Sequence, residues 1–202
     1  MNNLKTLNKQ IMLCRNCILA ESRTNVVPGK GPDNAQAMFI GIAPEDVAEL
    51  VREPLSPRTY SGEILMRWLS EIGLSPQEVY LTNILKCNPD KKPMKFRLPY
   101  FDEGVFSVEI KACREWLIQE IALLQPKVVV TLGAPPLHQF FPGVSVGSFE
   151  PRGRIHQGRM HFALFHPRNV GQADWPEHKE RLKELRCFLQ QLQANEGTNT
   201  QS

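Results

Sequence analysis

The sequence predicts an α/β fold, a mostly parallel sheet with helices packed on both faces. Three observations carry this expectation. Four short apolar runs have the length and β-branched content of strands: "AMFIGIA" (37–43), "VYLTNIL" (79–85), "KVVVTLG" (127–133) and "HFALFHP" (161–167). Helical patterns alternate with them, as in parallel strands joined by crossover helices. The runs lead into "GIAPED", "TNILKCNP", "LGAPP" and "FHPRN", and ligands of such sheets bind beyond the carboxyl ends of the strands.

Each element has its own reason. The run at 127–133 is continuously apolar, as a strand covered on both faces must be. "SGEILMRWLSEIG" puts Ile64, Leu65, Trp68, Leu69 and Ile72 on one helical face. "VEIKACREWLIQEIALL" does the same with Ile110, Cys113, Leu117, Ile121 and Leu124. The segment 176–193 predicts a third helix, charged outside and leucine-lined inside. These elements define one domain over residues 1–194. The polar end "NEGTNTQS" (195–202) is expected to be a disordered tail.

Composition narrows the function. A chain of 202 residues, 42% of them hydrophobic, can bury one sizeable core. No apolar stretch reaches membrane-spanning length and no charged-then-apolar leader opens the chain, so a soluble cytoplasmic protein without a membrane partner is expected. The net charge of +3 permits a nucleic-acid partner without arguing for one. Five cysteines without an export signal argue against a disulfide framework and for metal or cluster ligation.

"CRNC" places Cys14 and Cys17 as a bidentate claw. Cys87 follows a strand in "LKCNP", and Cys113 lies in the helix "KACREW". Two close thiolates and two distant ones suffice for one tetrahedral site, and the spacing does not separate zinc from an iron–sulfur cluster. Taken alone, Cys113 reads more readily as a small core hydrophobe. Cys187, in the last helix, reads as packing.

The order of motifs carries more. "CRNC", "VVPGKGP", "MFIGIAPED", "SGEILMRWL", "VYLTNILKCNP", "ACREWLIQEIALLQPKVVVTLG", "RGRIHQGR" and "FHPRN" resemble, in this order, the iron–sulfur uracil-DNA glycosylases of families 4 and 5. The resemblance runs from Cys14 to Asn169. It implies a three-layer α/β/α single domain around a four-stranded, mostly parallel sheet. It implies a structural [4Fe–4S] cluster held by Cys14, Cys17, Cys87 and Cys113. It also implies a monofunctional glycosylase that hydrolyses the N-glycosidic bond of a base in DNA and leaves an abasic site. A monomer is expected, although the sequence does not give the oligomeric state.

Such an enzyme must take a base out of the stack and hold it by its edge. The sugar then becomes cation-like and the departing base an anion. His166 suits the donor to the base oxygen, since a neutral imidazole can donate without losing its proton; by resemblance it matches the histidine of the family's "HPS" motif. Asn83 suits the reader of a pyrimidine edge, and matches the family 4 asparagine. In "GIAPED", Ile42 stands among the base-contacting residues where family 4 has an acid. Glu45 and Asp46 are the candidates to place water; equally, they read as carboxylates favoured at a helix start. The aromatic that stacks on the flipped base in both families has no counterpart in "EPLSPRTYSGE", and Tyr60 is the nearest aromatic.

"HPRN" replaces "HPS", so Arg168 and Asn169 are expected on the DNA backbone. Arg152 and Arg154 in "RGRIHQGR" are expected on the same face. The long stretch after Cys87 interleaves Lys91, Lys92, Lys95 and Arg97 with Phe96, Tyr100 and Phe101, a pattern suited to nucleic acid. The base stays open between uracil, a deaminated purine and a bulky modified cytosine of phage DNA. Two rivals stay open as well: a DNA-binding member of the fold that has lost catalysis, and a zinc-stapled protein.

Overall fold

The computed structural model describes residues 3–91, 107–171 and 175–199. Five strands form one sheet in the order β2-β1-β3-β5-β4. They are β1 (Ala37–Gly41), β2 (Val79–Asn83), β3 (Val128–Leu132), β4 (Arg154–His156) and β5 (Arg159–Leu164). The four expected runs supply β1, β2, β3 and β5, and these pair in parallel. Each ladder stops one to three residues before its apolar run ends, which frees those residues for the space above the sheet.

The strand count corrects the expectation of four. The fifth strand, β4, forms an antiparallel hairpin with β5 at the sheet edge. It has only three residues, Arg154 and Ile155 are exposed, and no apolar alternation marks it.

The three layers follow from strand periodicity. Ala37 and Phe39 face one side with Val79, Leu81, Val128, Val130, Phe162 and Leu164. There they meet Leu65, Trp68 and Leu69 of α3 (Tyr60–Glu71) and Leu182, Leu185 and Leu189 of α6 (Trp175–Asn199). Met38, Ile40, Tyr80 and Val129 face the other side. There they meet Leu4, Leu7 and Ile11 of α1 (Leu4–Met12) and Cys113, Leu117 and Leu124 of α4 (Ser107–Leu124). Thr59 caps α3 by accepting from the Gly62 amide at 3.1 Å. Two short helices, α2 (Asp46–Val51) and α5 (Ala134–Leu137), follow β1 and β3.

Helix α6 continues through Asn199, beyond residue 195 where the polar tail was expected to begin. Cys187 on that helix is exposed, so its expected packing role does not hold. Among the described residues, no helix is long and apolar enough to cross a membrane.

Candidate active site

The carboxyl ends of β1, β2 and β5 converge on one pocket of about 100 Å³. Ile42, Ala43, Pro44 and Glu45 line it from the loop after β1. Ser61 enters from α3, Asn88, Pro89 and Asp90 from the segment after β2, and His166, Arg168 and Asn169 from the loop after β5. Five of the expected site residues therefore meet in one place: Ile42, Glu45, His166, Arg168 and Asn169.

His166 is held from two sides. Gly133, at the end of β3, has φ +91°, and a Cβ there would stand 3.2 Å from the His166 Cβ. A bare, left-handed glycine lets the histidine loop settle against β3. The Arg168 amide donates to His166 Nδ1 at 3.3 Å, so the neutral ring keeps its proton on Nε2. Burial lowers the His166 pKa to about 4; Glu45 opposes that shift and Arg168 adds to it. At neutral pH the imidazole is a neutral donor.

Asn83 ends β2, fully buried. Neither its Oδ1 nor its Nδ2 has a hydrogen-bond partner among the described residues. Buried amides are nearly always satisfied, so this one calls for a ligand or another explanation. Its position is defined by Gly41: a Cβ on that residue would lie 2.4 Å from Asn83 Oδ1 and 2.8 Å from Leu55 Cδ2. The Asn83 amide and the Leu55 methyls therefore converge over a bare Cα. Leu55 holds a left-handed backbone, φ 50°, a conformation that non-glycine residues adopt at a cost.

Tyr60 opens α3 with 60% of its surface exposed and is not in the pocket wall. The side chain next to it, Ser61, lines the pocket with a buried hydroxyl that has no partner among the described residues.

The two acids part company. Glu45 Oε2 accepts from Arg168 Nη2 at 2.6 Å, across the pocket mouth. Asp46 turns to Asn88, whose Nδ2 donates to Asp46 Oδ1 at 2.8 Å. In sequence, the signal for Asn88 is its place in "LKCNP", directly after a ligand-type cysteine. Arg152 and Arg154 lie outside the pocket wall. Arg154 pairs with Glu150 at 2.6 Å and lies over the Phe141 and Phe149 rings. The β4–β5 turn sits at the amino end of β5, opposite the end that carries His166. Lys92, Lys95, Arg97, Phe96, Tyr100 and Phe101 lie outside the described residues.

The four cysteines gather on the α1–α4 side of the sheet. Cys14 and Cys17 follow α1, Cys87 follows β2, and Cys113 sits on the inner face of α4. Their thiols feel one another: Cys17 senses Cys14, Cys87 senses both, and Cys113 senses Cys17 and Cys87. Burial pushes the Cys113 thiol up to about 12 and raises Cys17 and Cys87 as well. N–H donors, one of them a guanidinium, reach the sulfurs. Arg23 Nη1 donates to Cys87 Sγ and Trp116 Nε1 to Cys14 Sγ, each at 3.4 Å. Among the described residues, no group of three or more cysteines, histidines or carboxylates stands ready as a site for one metal ion. The donor chemistry is nonetheless uniform: four soft sulfur ligands of the kind iron–sulfur clusters use.

Known proteins share this arrangement of sequence. The family model described as the uracil DNA glycosylase superfamily matches residues 28–193. A type-4 uracil-DNA glycosylase of Saccharolobus solfataricus is 30% identical over 203 residues, covering 90% of this chain and 88% of the relative. One from Thermotoga maritima is 29% identical over 167 residues, 81% of each chain. One from Archaeoglobus fulgidus is 35% identical over 133 residues, 66% of this chain; the match spans only 61% of that relative's length.

Proposed function

The chain belongs to the uracil DNA glycosylase superfamily, and from that premise we propose that it removes uracil from DNA by hydrolysing the N-glycosidic bond. The observation that carries this reading is the pair Asn83 and His166. One is a fully buried amide without a partner among the described residues, the other a neutral imidazole with its proton on Nε2. A uracil edge offers both a carbonyl acceptor and an N–H donor, and a carboxamide answers both.

In this reading the residues divide the work. Asn83 reads the flipped base. His166 Nε2–H donates to the base oxygen as the bond from sugar to ring nitrogen breaks and the electron pair leaves with the base. Glu45 faces the cation-like sugar and places the attacking water, which loses its proton as it adds to the sugar carbon. Arg168 and Asn169 take the DNA backbone, and Ile42 with Leu55 gives the base an apolar wall. Asp46 acts through Asn88, holding the segment after β2. Arg152 and Arg154 bind more remote phosphate, at the sheet edge.

The residues fit a [4Fe–4S] cluster. Cys14, Cys17, Cys87 and Cys113 would hold it, with Arg23 and Trp116 donating to their sulfurs. Its part would be structural, through ligands at the end of α1, in the segment after β2 and on α4. Excision by a single chain would place the protein at the first step of base-excision repair.

The test is base release from a uracil-containing oligonucleotide, by wild type, His166→Ala and Asn83→Ala. Release by the wild type alone supports the reading. Binding to DNA without release by any of the three proteins refutes it and favours a catalytically silent member of the fold.

A further inference from the structure

Three sequence motifs converge on one buried ion pair that base release itself does not use. Lys86, in "TNILKCNP", is 1% exposed, and Glu120, in the cysteine helix α4, is fully buried. Lys86 Nζ donates to Glu120 Oε2 at 2.7 Å, to Thr82 Oγ1 at 2.5 Å and to the Asn83 carbonyl at 2.9 Å. An ammonium has three donors, and all three are used. Glu120 is equally complete. Its Oε2 also accepts from Thr82 Oγ1 at 2.9 Å, and its Oε1 from the Gly29 amide at 3.1 Å and the Tyr80 hydroxyl at 3.4 Å. Gly29, of "VVPGKGP", must be bare, since a Cβ there would stand 2.3 Å from the Tyr80 hydroxyl.

Lys86 also joins two sites. Its side chain holds the carbonyl of Asn83, whose amide would read the base. Its backbone hydrogen-bonds Cys113, and the residue after it is Cys87. Its own carbonyl accepts from the Val27 amide at 2.8 Å. Stability alone gives no reason for charges here, because buried ion pairs are often matched or exceeded by apolar residues of similar volume. A Lys–Glu pair adds direction: it fixes which carbonyl is held, and from which helix.

We propose that Lys86 and Glu120 are positioning residues that tie the Asn83 amide to the cysteine quartet, so that base reading is held in register by the same element that holds the cluster ligands. The inference rests on the reading of Asn83 as the base reader. It requires no electron transfer. The link is mechanical, through the five residues from Asn83 to Cys87 and through α4.

The experiment compares Lys86→Met/Glu120→Gln, which removes both charges together, with wild type, Asn83→Ala and the triple variant. Iron content and the visible absorption band report the cluster, circular dichroism the fold, and uracil release the chemistry. The expected result is a folded, iron-bearing double variant with KM for DNA unchanged and kcat lowered roughly a hundredfold, the loss that a misplacement of about 1 Å can cause. The triple variant should be no slower than Asn83→Ala, because both changes remove one function. Wild-type kcat in the double variant, or losses that multiply in the triple, would overturn the proposal.

Thr82→Val is the second variant, in case the double one does not fold. It removes only the bridging hydroxyl, and its loss in kcat must also vanish in the Asn83→Ala background. A wild-type kcat for Thr82→Val would again count against the pair. Failure of the wild type itself to release uracil would instead refute the functional reading, and the positioning role with it.

Discussion

Arg168 and Glu45, 123 residues apart in the chain, form an ion pair of 2.6 Å across the mouth of the pocket. Both side chains are partly exposed, at 47% and 32%. Exposed pairs of this kind contribute about 0.2–1 kcal/mol, so a DNA phosphate can take Arg168 from Glu45 at little cost. Arg168→Ala should therefore leave the melting temperature almost unchanged. It should weaken DNA binding several-fold and lower the slope of log K against log salt by about one. Binding isotherms at four salt concentrations check this, and an unchanged slope would show that Arg168 touches no phosphate.

The acids of "GIAPED" are separable for the same reason. Glu45 lines the pocket, whereas Asp46 is engaged with Asn88. Glu45→Gln should lower kcat by roughly 10²-fold, at the lower end of what a positioned acid–base group contributes. Asp46→Asn should cost about tenfold at most, through the Asn88 loop. Single-turnover release rates decide. Equal losses would mean that neither acid places the water.

His166 gives a pH prediction with a definite sign. Its pKa falls to about 4, chiefly through burial. Release should therefore show no histidine-type inflection near pH 6.5 and should lose the neutral donor only as pH approaches 4. A pH–rate profile of kcat from pH 5 to 8 tests this, and an inflection near 6.5 assignable to His166 would contradict it. His166→Ala should cost about 10²–10³ in kcat, the effect of one lost oxyanion donor. Stability carries the same sign. His161 and His178 are also lowered to about 4 by burial. The unfolded chain takes up these protons first, so stability is lost as pH falls from about 6.5 toward 4.

The cysteines separate by position. Cys14, Cys17, Cys87 and Cys113 sense one another, whereas Cys187 is exposed on α6. Cys113→Ser should abolish the visible absorption and iron content and lower the melting temperature. Cys187→Ser should change none of these. Iron analysis of anaerobically purified protein distinguishes the two. Zinc in place of iron in the wild type would exclude the cluster.

Periodicity made the parallel strands and three of the helices legible, because each buries one face or both. Helix α1 was missed although Leu4, Leu7 and Ile11 lie on one face; nine residues at a chain end give a short signal. Strand β4 was missed because it is polar, brief and exposed, and hydrogen bonding to β5 alone makes it a strand. His166 and Asn83 were legible as strand-end residues in a known motif order. Their surroundings were not. The Glu45–Arg168 and Lys86–Glu120 pairs join distant segments: Glu45 and Arg168 are legible singly as site candidates but not as partners, and Lys86 and Glu120 look in sequence like ordinary surface charge. The lost aromatic pointed to Tyr60 by proximity in sequence, yet the side chain that meets Asn83 over Gly41 is Leu55, brought there by a left-handed turn that no composition signals.

That convergence makes Gly41 the most sensitive small residue of the site. Gly41 pairs with Asn83 in the sheet and is buried beside it. An alanine methyl would meet Asn83 Oδ1 at 2.4 Å and Leu55 Cδ2 at 2.8 Å. Side chains do not tolerate such contacts, so both the Asn83 amide and Leu55 must shift. Overpacking by one methyl costs about 1–3 kcal/mol, which a domain of this size survives. The displacement of a reading amide by even about 1 Å, however, costs roughly 10² in rate. Gly41→Ala should thus melt only a few degrees below wild type, keep its iron, bind DNA, and release uracil about a hundredfold more slowly. Leu55→Ala in the same chain opens room for the new methyl and should restore part of the rate. If Gly41→Ala retains full activity, the Asn83 amide can move freely and is not what reads the base.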